Sequence, residues 1–157
     1  MKTENKKGFT LIELLVVVAI MGLMAALAIV SLNQARAKAR DARRVADVKQ
    51  IQTALELYYM DQAKYPGTAG TMVVADGQCL GAGGFAAPGS CTAPIYMGLI
   101  PTNPAPQADG ICATSSYTYI TPTGQSNTTY QIRWCLGGKT GELPSGPHWA
   151  TPAGLVD

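Results

Sequence analysis

The hydrophobic pattern of the chain changes character three times. From Leu14 to Val30 seventeen consecutive positions are apolar or small, and with Phe9–Glu13 the run reaches 22 residues. At a rise of about 1.5 Å per residue, a helix of that length covers about 33 Å, enough to cross a hydrocarbon core. A run without a polar face is too long for an ordinary buried helix, so the pattern predicts membrane insertion. Beyond Ser31 the spacing becomes that of an amphipathic helix. Leu32, Ala35, Ala39, Ala42 and Ala46 form a narrow small-residue stripe, and Val48, Ile51, Leu55 and Tyr58 or Tyr59 a larger one suited to covering a sheet. No Gly or Pro falls between Leu23 and Tyr65, and Tyr65-Pro66-Gly67 is a stop signal. One helix from Phe9 to about Gln62 is the expectation. Gly22 inside it should cost up to about 1 kcal/mol against Ala.

The remaining residues alternate in two places. Ser116–Thr121 and Thr129–Leu136 read as strands, the second placing Tyr130, Ile132, Trp134 and Leu136 on one face. Pro122–Asn127 reads as the loop of an antiparallel hairpin whose apolar face is the bed for the Val48/Ile51/Leu55 stripe. Residues 66–94 read as a long connecting loop with one short strand at Met72–Val74. The tail from Pro144 onward is Pro-punctuated and expected to be irregular. The fold class is therefore α+β, a long N-terminal helix packed on a small antiparallel sheet.

Composition sharpens this division. Only 14% of the 157 residues are charged, below the usual quarter for a soluble domain, and the charges are unevenly placed. Residues 1–8 hold three Lys and one Glu; residues 9–30 hold only Glu13. Residues 31–64 hold seven bases against four acids, and residues 65–157 two bases against four acids, with all ten prolines and fifteen of seventeen glycines. The four parts are a basic leader (1–8), an apolar span (9–30), a charged amphipathic helix (31–64) and a sparsely charged head (65–157). Arg36, Lys38, Arg40, Arg43 and Arg44 read as a solvated helix face, with Arg43–Asp47 and Asp41–Arg44 as weak intrahelical pairs. No groove-entering or aromatic motif accompanies them, so no specific nucleic-acid partner is expected.

Candidate chemistry is sparse. One histidine (His148, beside Trp149), no Gly-x-Ser-x-Gly, no phosphate loop and no neighbouring pair of carboxylates leave no catalytic set, so the chain reads as no enzyme. Lone His148 reads as a surface or packing residue. Cys79, Cys91, Cys112 and Cys135 lie at spacings of 12, 21 and 23 with no CxxC pair, which disfavours zinc. Two disulfides are expected, in one of three connectivities; Cys79–Cys91, closing the Gly-rich loop, and Cys112–Cys135, clamping the hairpin, are preferred. Each closed loop contributes about 2–4 kcal/mol. Asn127-Thr128-Thr129 matches the short glycosylation sequon. Glu13 is the one charge in the apolar run. A carboxylate there is expensive and needs a partner, unless it lies near enough to the end to reach the interface and the helix dipole.

Lys7-Gly8-Phe9-Thr10-Leu11-Ile12-Glu13-Leu14 resembles the prepilin cleavage motif of type IV pilins and type II secretion pseudopilins, and the resemblance runs over residues 7–67. It implies that a prepilin peptidase cuts between Gly8 and Phe9 on the cytoplasmic side and methylates the Phe9 amine. It implies that Glu13 pairs with the Phe9 amine of a neighbouring subunit in the filament. It further implies a pilin-like fold, a single-pass membrane monomer with its head outside the cytoplasm, and an inner-membrane assembly platform and motor as partners. Tyr58-Tyr59-Met60-Asp61 leading to Lys64-Tyr65-Pro66 is similar to the helix end of major pseudopilins. Gly98–Pro104 resembles the family's Pro-x-Asp-Pro turn with Asn103 in place of the acid, and Val30 stands where many members carry a helix-kinking Pro. The charge count alone would place the head in the cytoplasm; the motif and the cysteines place it outside. Calcium, often bound by major pseudopilins, finds only dispersed acids here (Asp76, Asp109, Glu142 and Asp157), so no metal or cofactor is expected. The function implied is a subunit that polymerises into an extracellular or periplasmic filament, a type IV pilus or a secretion pseudopilus. The alternative is a membrane-anchored binding module that never polymerises.

Overall fold

The computed structural model describes residues 8–70, 72–107, 110–112, 116–124 and 127–156, and a helix α1, Leu11–Gln62, is its first element. The chain forms two compact units divided between Arg36 and Ala37, inside α1. In the first unit every large apolar side chain from Phe9 to Leu32 is exposed, by 47% to 87%. Among the described residues nothing covers them. The helix holds there because its backbone groups bond internally.

In the second unit, Asp41, Arg44, Asp47, Val48, Ile51, Ala54, Leu55 and Tyr58 of α1 are buried at spacings of one, three and four. The helix ends with Ala63 in the left-handed region (φ 54°), its N–H donating to the Tyr59 carbonyl at 2.8 Å. Among the described residues eight strands follow: β1 Met72–Val74, β2 Cys79–Gly81, β3 Gly84–Ala86, β4 Ile95–Met97, β5 Thr118–Ile120, β6 Gln131–Leu136, β7 Gly146–Thr151 and β8 Gly154–Val156. They make an antiparallel sheet of order β1-β5-β6-β7-β8 and a smaller one of order β3-β2-β4. Tyr119 faces Ile132 across β5 and β6, and Ile132 faces Ala150 across β6 and β7. Val48, Ile51, Leu55, Tyr119, Ile132, Trp134 and Leu136 join one core at 0–1% exposure. Burying a side chain of that size stabilises by about 1.5–3 kcal/mol. Edge-on rings tighten it, Tyr65 against Tyr130 at 4.7 Å and Tyr58 against Tyr96 at 5.3 Å. This is the α+β, pilin-like arrangement expected.

Two regions depart from expectation. The tail from Pro144 is not irregular: β7 and β8 complete the main sheet. The inward positions of β7 are Gly146, His148 and Ala150, too small or too polar to register as a hydrophobic alternation. Pro147 argued against a strand, yet β8 pairs only with Trp149–Thr151, so Pro147 sits where one side of β7 carries no strand. The loop at 66–94 is also not loop throughout. Beyond the expected β1 it holds the β2–β3 hairpin, turning at Ala82-Gly83. Glycine there signalled a loop but serves close packing: a Cβ on Gly81 would stand 2.4 Å from the Thr92 carbonyl oxygen. The expected strands at Ser116–Thr121 and Thr129–Leu136 are shorter than their patterns, at Thr118–Ile120 and Gln131–Leu136.

Candidate functional site

Thr10 is the last residue before the helix and Leu11 opens it, which makes Thr10 the N-cap and Glu13 the third helical residue. The two close a capping box. Glu13 Oε2 accepts from the Thr10 backbone N–H at 2.8 Å and from the Thr10 hydroxyl at 2.6 Å, while the Glu13 N–H donates to Thr10 Oγ1 at 3.3 Å. A helix start leaves four N–H groups without partners, and in a low-dielectric setting each is costly. The box satisfies one of these orphan N–H groups together with the N-cap's own N–H, and brings a negative charge to the positive end of the dipole. Gly8 and Phe9 precede the helix; Phe9 is 87% exposed, and a Cβ on Gly8 would touch nothing within 4 Å. Thr10 was not singled out in the sequence reading. Its signal was present: Thr-x-x-Glu immediately before an apolar run.

In the second unit a polar seam ties α1 to the head. Arg44, expected on a solvated face, is instead fully buried. Its Nη1 donates to Asp41 Oδ1 at 2.6 Å, its Nε to Asn103 Oδ1 at 2.8 Å and its Nη2 to the Pro106 carbonyl at 3.3 Å. Asp41 also accepts from the Gly137 and Gly138 N–H groups at 3.0 and 2.9 Å. Asp47 accepts from the Tyr117 hydroxyl at 3.0 Å, and Asp76 from the Tyr117 and Asn103 N–H groups at 2.6 and 3.3 Å. Helical spacing of Asp41, Arg44 and Asp47 places all three on the buried side, so what reads as a loose surface pair is an interior clamp. Burial pushes the carboxyls of Asp47 and Asp76 above their ordinary range, opposed by the hydrogen bonds they accept. Arg43 stays outside, 66% exposed and 3.9 Å from Asp47.

Cys79 is bonded to Cys91 and Cys112 to Cys135. His148 is buried, its ring 5.2 Å from that of Trp134 and its Nε2 2.9 Å from the Pro144 carbonyl oxygen, so it packs rather than faces solvent. The Asn127 side chain of the sequon is engaged by the Gly67 carbonyl. Among the described residues no group of three or more His, Cys, Asp or Glu side chains is placed to hold a metal ion.

The prokaryotic N-terminal methylation motif matches residues 4–29. The chain is 37% identical over 68 residues to type II secretion system core protein G of Klebsiella michiganensis, covering 43% of this chain and 48% of that one. It is 36% identical over 66 residues to the protein of that name from Escherichia coli K12, covering 42% and 46%. Against that of Pseudomonas aeruginosa PAO1 it is 38% identical over 68 residues, covering 43% and 48%. The aligned part thus spans about half the length of these curated relatives. No solved structure matches the chain. The chain carries the N-terminal methylation motif of prepilins and is similar, over about two-fifths of its length, to type II secretion pseudopilins.

Proposed function

We propose that the chain is a structural subunit that polymerises through its N-terminal helix into an extracellular or periplasmic filament of the pseudopilus kind. A type IV pilus is built by the same route and remains within the proposal. The observation that carries it lies in residues 9–32: an apolar surface that the other described residues leave bare, beginning just after Gly8 and bearing the single carboxylate of Glu13. Such a surface needs lipid around it, or like helices. Leaving the bilayer for a helix bundle exchanges one apolar surround for another, so packing and polar pairing decide the assembly.

Residues 1–8 act as the leader, removed between Gly8 and Phe9 by the prepilin peptidase, and residues 9–30 as the membrane and assembly segment. Glu13 is held against Thr10, one residue from the amine that cleavage creates at Phe9. In a filament the Phe9 amine of a neighbouring subunit competes with the Thr10 hydroxyl for that carboxylate, and an ammonium partner in low dielectric wins. Identical or related subunits, an inner-membrane platform and a motor are the remaining partners. The two disulfides fit a head matured in an oxidising compartment, outside the cytoplasm. The role is structural and needs no catalytic group.

Glu13→Ala should leave the chain inserted and abolish filaments and filament-dependent secretion, as seen by shearing and immunodetection. Unchanged filaments or secretion, with ligand binding by the head as the sole activity, would make the chain an anchored binding module instead. Mass analysis of the mature chain should find N-methylated Phe9 at its start; an intact Met1 overturns the processing.

A further inference from the structure

The second unit contains an open cleft of about 670 Å³. One wall is the helix at Lys38 and Asp41; the other is backbone of the turn after β6, from Gly137 to Gly141, with Lys139 upon it. Lys38 and Lys139 are both exposed, one on each wall. The one acid described in the lining, Asp41, does not oppose them. It is 2% exposed, Arg44 and the Gly137 N–H take its Oδ1, and the Gly138 N–H takes its Oδ2. The cleft therefore presents two lysine ammoniums and, among its described lining residues, no open carboxylate, a lining suited to an anionic partner.

The fold extends this sorting along the helix. Between Ser31 and Leu55 the only acids are Asp41 and Asp47, and both are buried, whereas Arg36, Lys38, Arg43 and Lys49 are exposed. A stretch that is mixed in sequence is basic on its outside. Lys38 lies eight residues beyond Val30, about 12 Å of helical rise, within reach of a long side chain at the headgroup layer. A second copy of the chain is a poor occupant: outside the apolar run its exposed acids among the described residues are Asp61 and Glu142.

We propose that this cleft and its flanking bases grip the phosphodiester headgroups of anionic phospholipids while the chain resides in the bilayer. The inference rests on the reading of residues 9–30 as membrane-spanning. The contact holds the head against the membrane surface before assembly and is released when the subunit is withdrawn. Its strength is electrostatic, so it falls with ionic strength.

The test uses the full chain in nanodiscs of phosphatidylcholine and of phosphatidylcholine mixed with an equal part of phosphatidylglycerol. Brief amine acylation is read residue by residue by mass spectrometry, with exposed Lys64 as the internal reference. Lys38 and Lys139 should label several-fold more slowly in the anionic discs, with Lys64 unchanged and added salt removing the difference. Amide exchange of Gly137–Gly141 should slow in the same discs, and Lys38→Gln with Lys139→Gln should abolish that slowing while still inserting. Equal labelling in both discs overturns the proposal. Equal protection by inorganic phosphate in phosphatidylcholine discs also overturns it, in favour of a free-anion site. A chain that leaves both kinds of disc overturns the membrane reading and this proposal together.

Discussion

Residues 11–36 and 37–62 belong to one helix and solve the same problem in different ways. In the first stretch every large apolar side chain is exposed; in the second Val48, Ile51, Leu55 and Tyr58 are covered by the chain's own sheet. Polar groups follow suit. Glu13 is satisfied locally, by a residue three positions away, whereas Arg44 is satisfied by groups 59 and 62 residues distant as well as by Asp41. A helix whose partners are elsewhere in the chain belongs to a folded head. One whose polar partner is three residues away leaves its apolar surface open to surroundings from outside the chain.

The contrast can be broken most forcefully at Arg44. Arg44→Ala removes the buried countercharge of Asp41 and the Nε–H bond to Asn103 Oδ1, and should destabilise the head by about 3–5 kcal/mol. Denaturant titration of the full chain in detergent, followed by fluorescence of buried Trp134, measures it. A loss within about 0.5 kcal/mol, the usual range for a surface site, would mean that the clamp is not holding the head to the helix. The next largest effect sets the two stretches side by side. Ile51→Ala should cost about 2–5 kcal/mol in the same titration, and Val17→Ala less than about 0.5 kcal/mol. Equal losses would erase the distinction between the units.

The tyrosines sharpen the comparison through pH. Burial foremost holds the phenols of Tyr65, Tyr117, Tyr119 and Tyr130 well above their ordinary range, with the Glu56 and Asp47 carboxylates adding to it for Tyr65, Tyr117 and Tyr130. A folded-state value above the unfolded one gives stability that is complete below about pH 10 and lost as pH rises further. In a spectrophotometric titration these four should ionise only together with loss of Trp134 fluorescence; ionisation of all four in a head that stays folded contradicts their burial. The smallest effect lies at the other end of the molecule. Thr10→Ala removes the cap and should cost the helix start about 1 kcal/mol, seen as faster amide exchange at residues 11–14, with the denaturation midpoint of the head unchanged.

Much of the fold was legible because its signals are local. The apolar run, the helix stop at Tyr65-Pro66-Gly67, and the alternation of Ile132, Trp134 and Leu136 each lie within one element. Strand β7 was not legible because its inward residues are Gly146, His148 and Ala150, which become core only through the strands beside them. The β2–β3 hairpin was hidden because glycine marks both loops and close approaches, and only the position of Thr92 decides which applies to Gly81. At the candidate site, Gly8, Phe9 and Glu13 were readable as a contiguous motif. Thr10 was equally readable, as the partner of Glu13 in a capping box, and was passed over.

The sequence by itself determined where the chain is apolar, where it is helical, and that the lone carboxylate of the apolar run stands at its start, because these follow from composition and period. Tertiary structure alone decided the fate of the charges between Ser31 and Leu55. Which of them face water depends on what packs against the helix, and spacing cannot report that for a segment whose partners lie 60 to 100 residues away. Folding withdrew Asp41, Arg44 and Asp47 into the head and left Lys38, Arg43 and Lys49 outside.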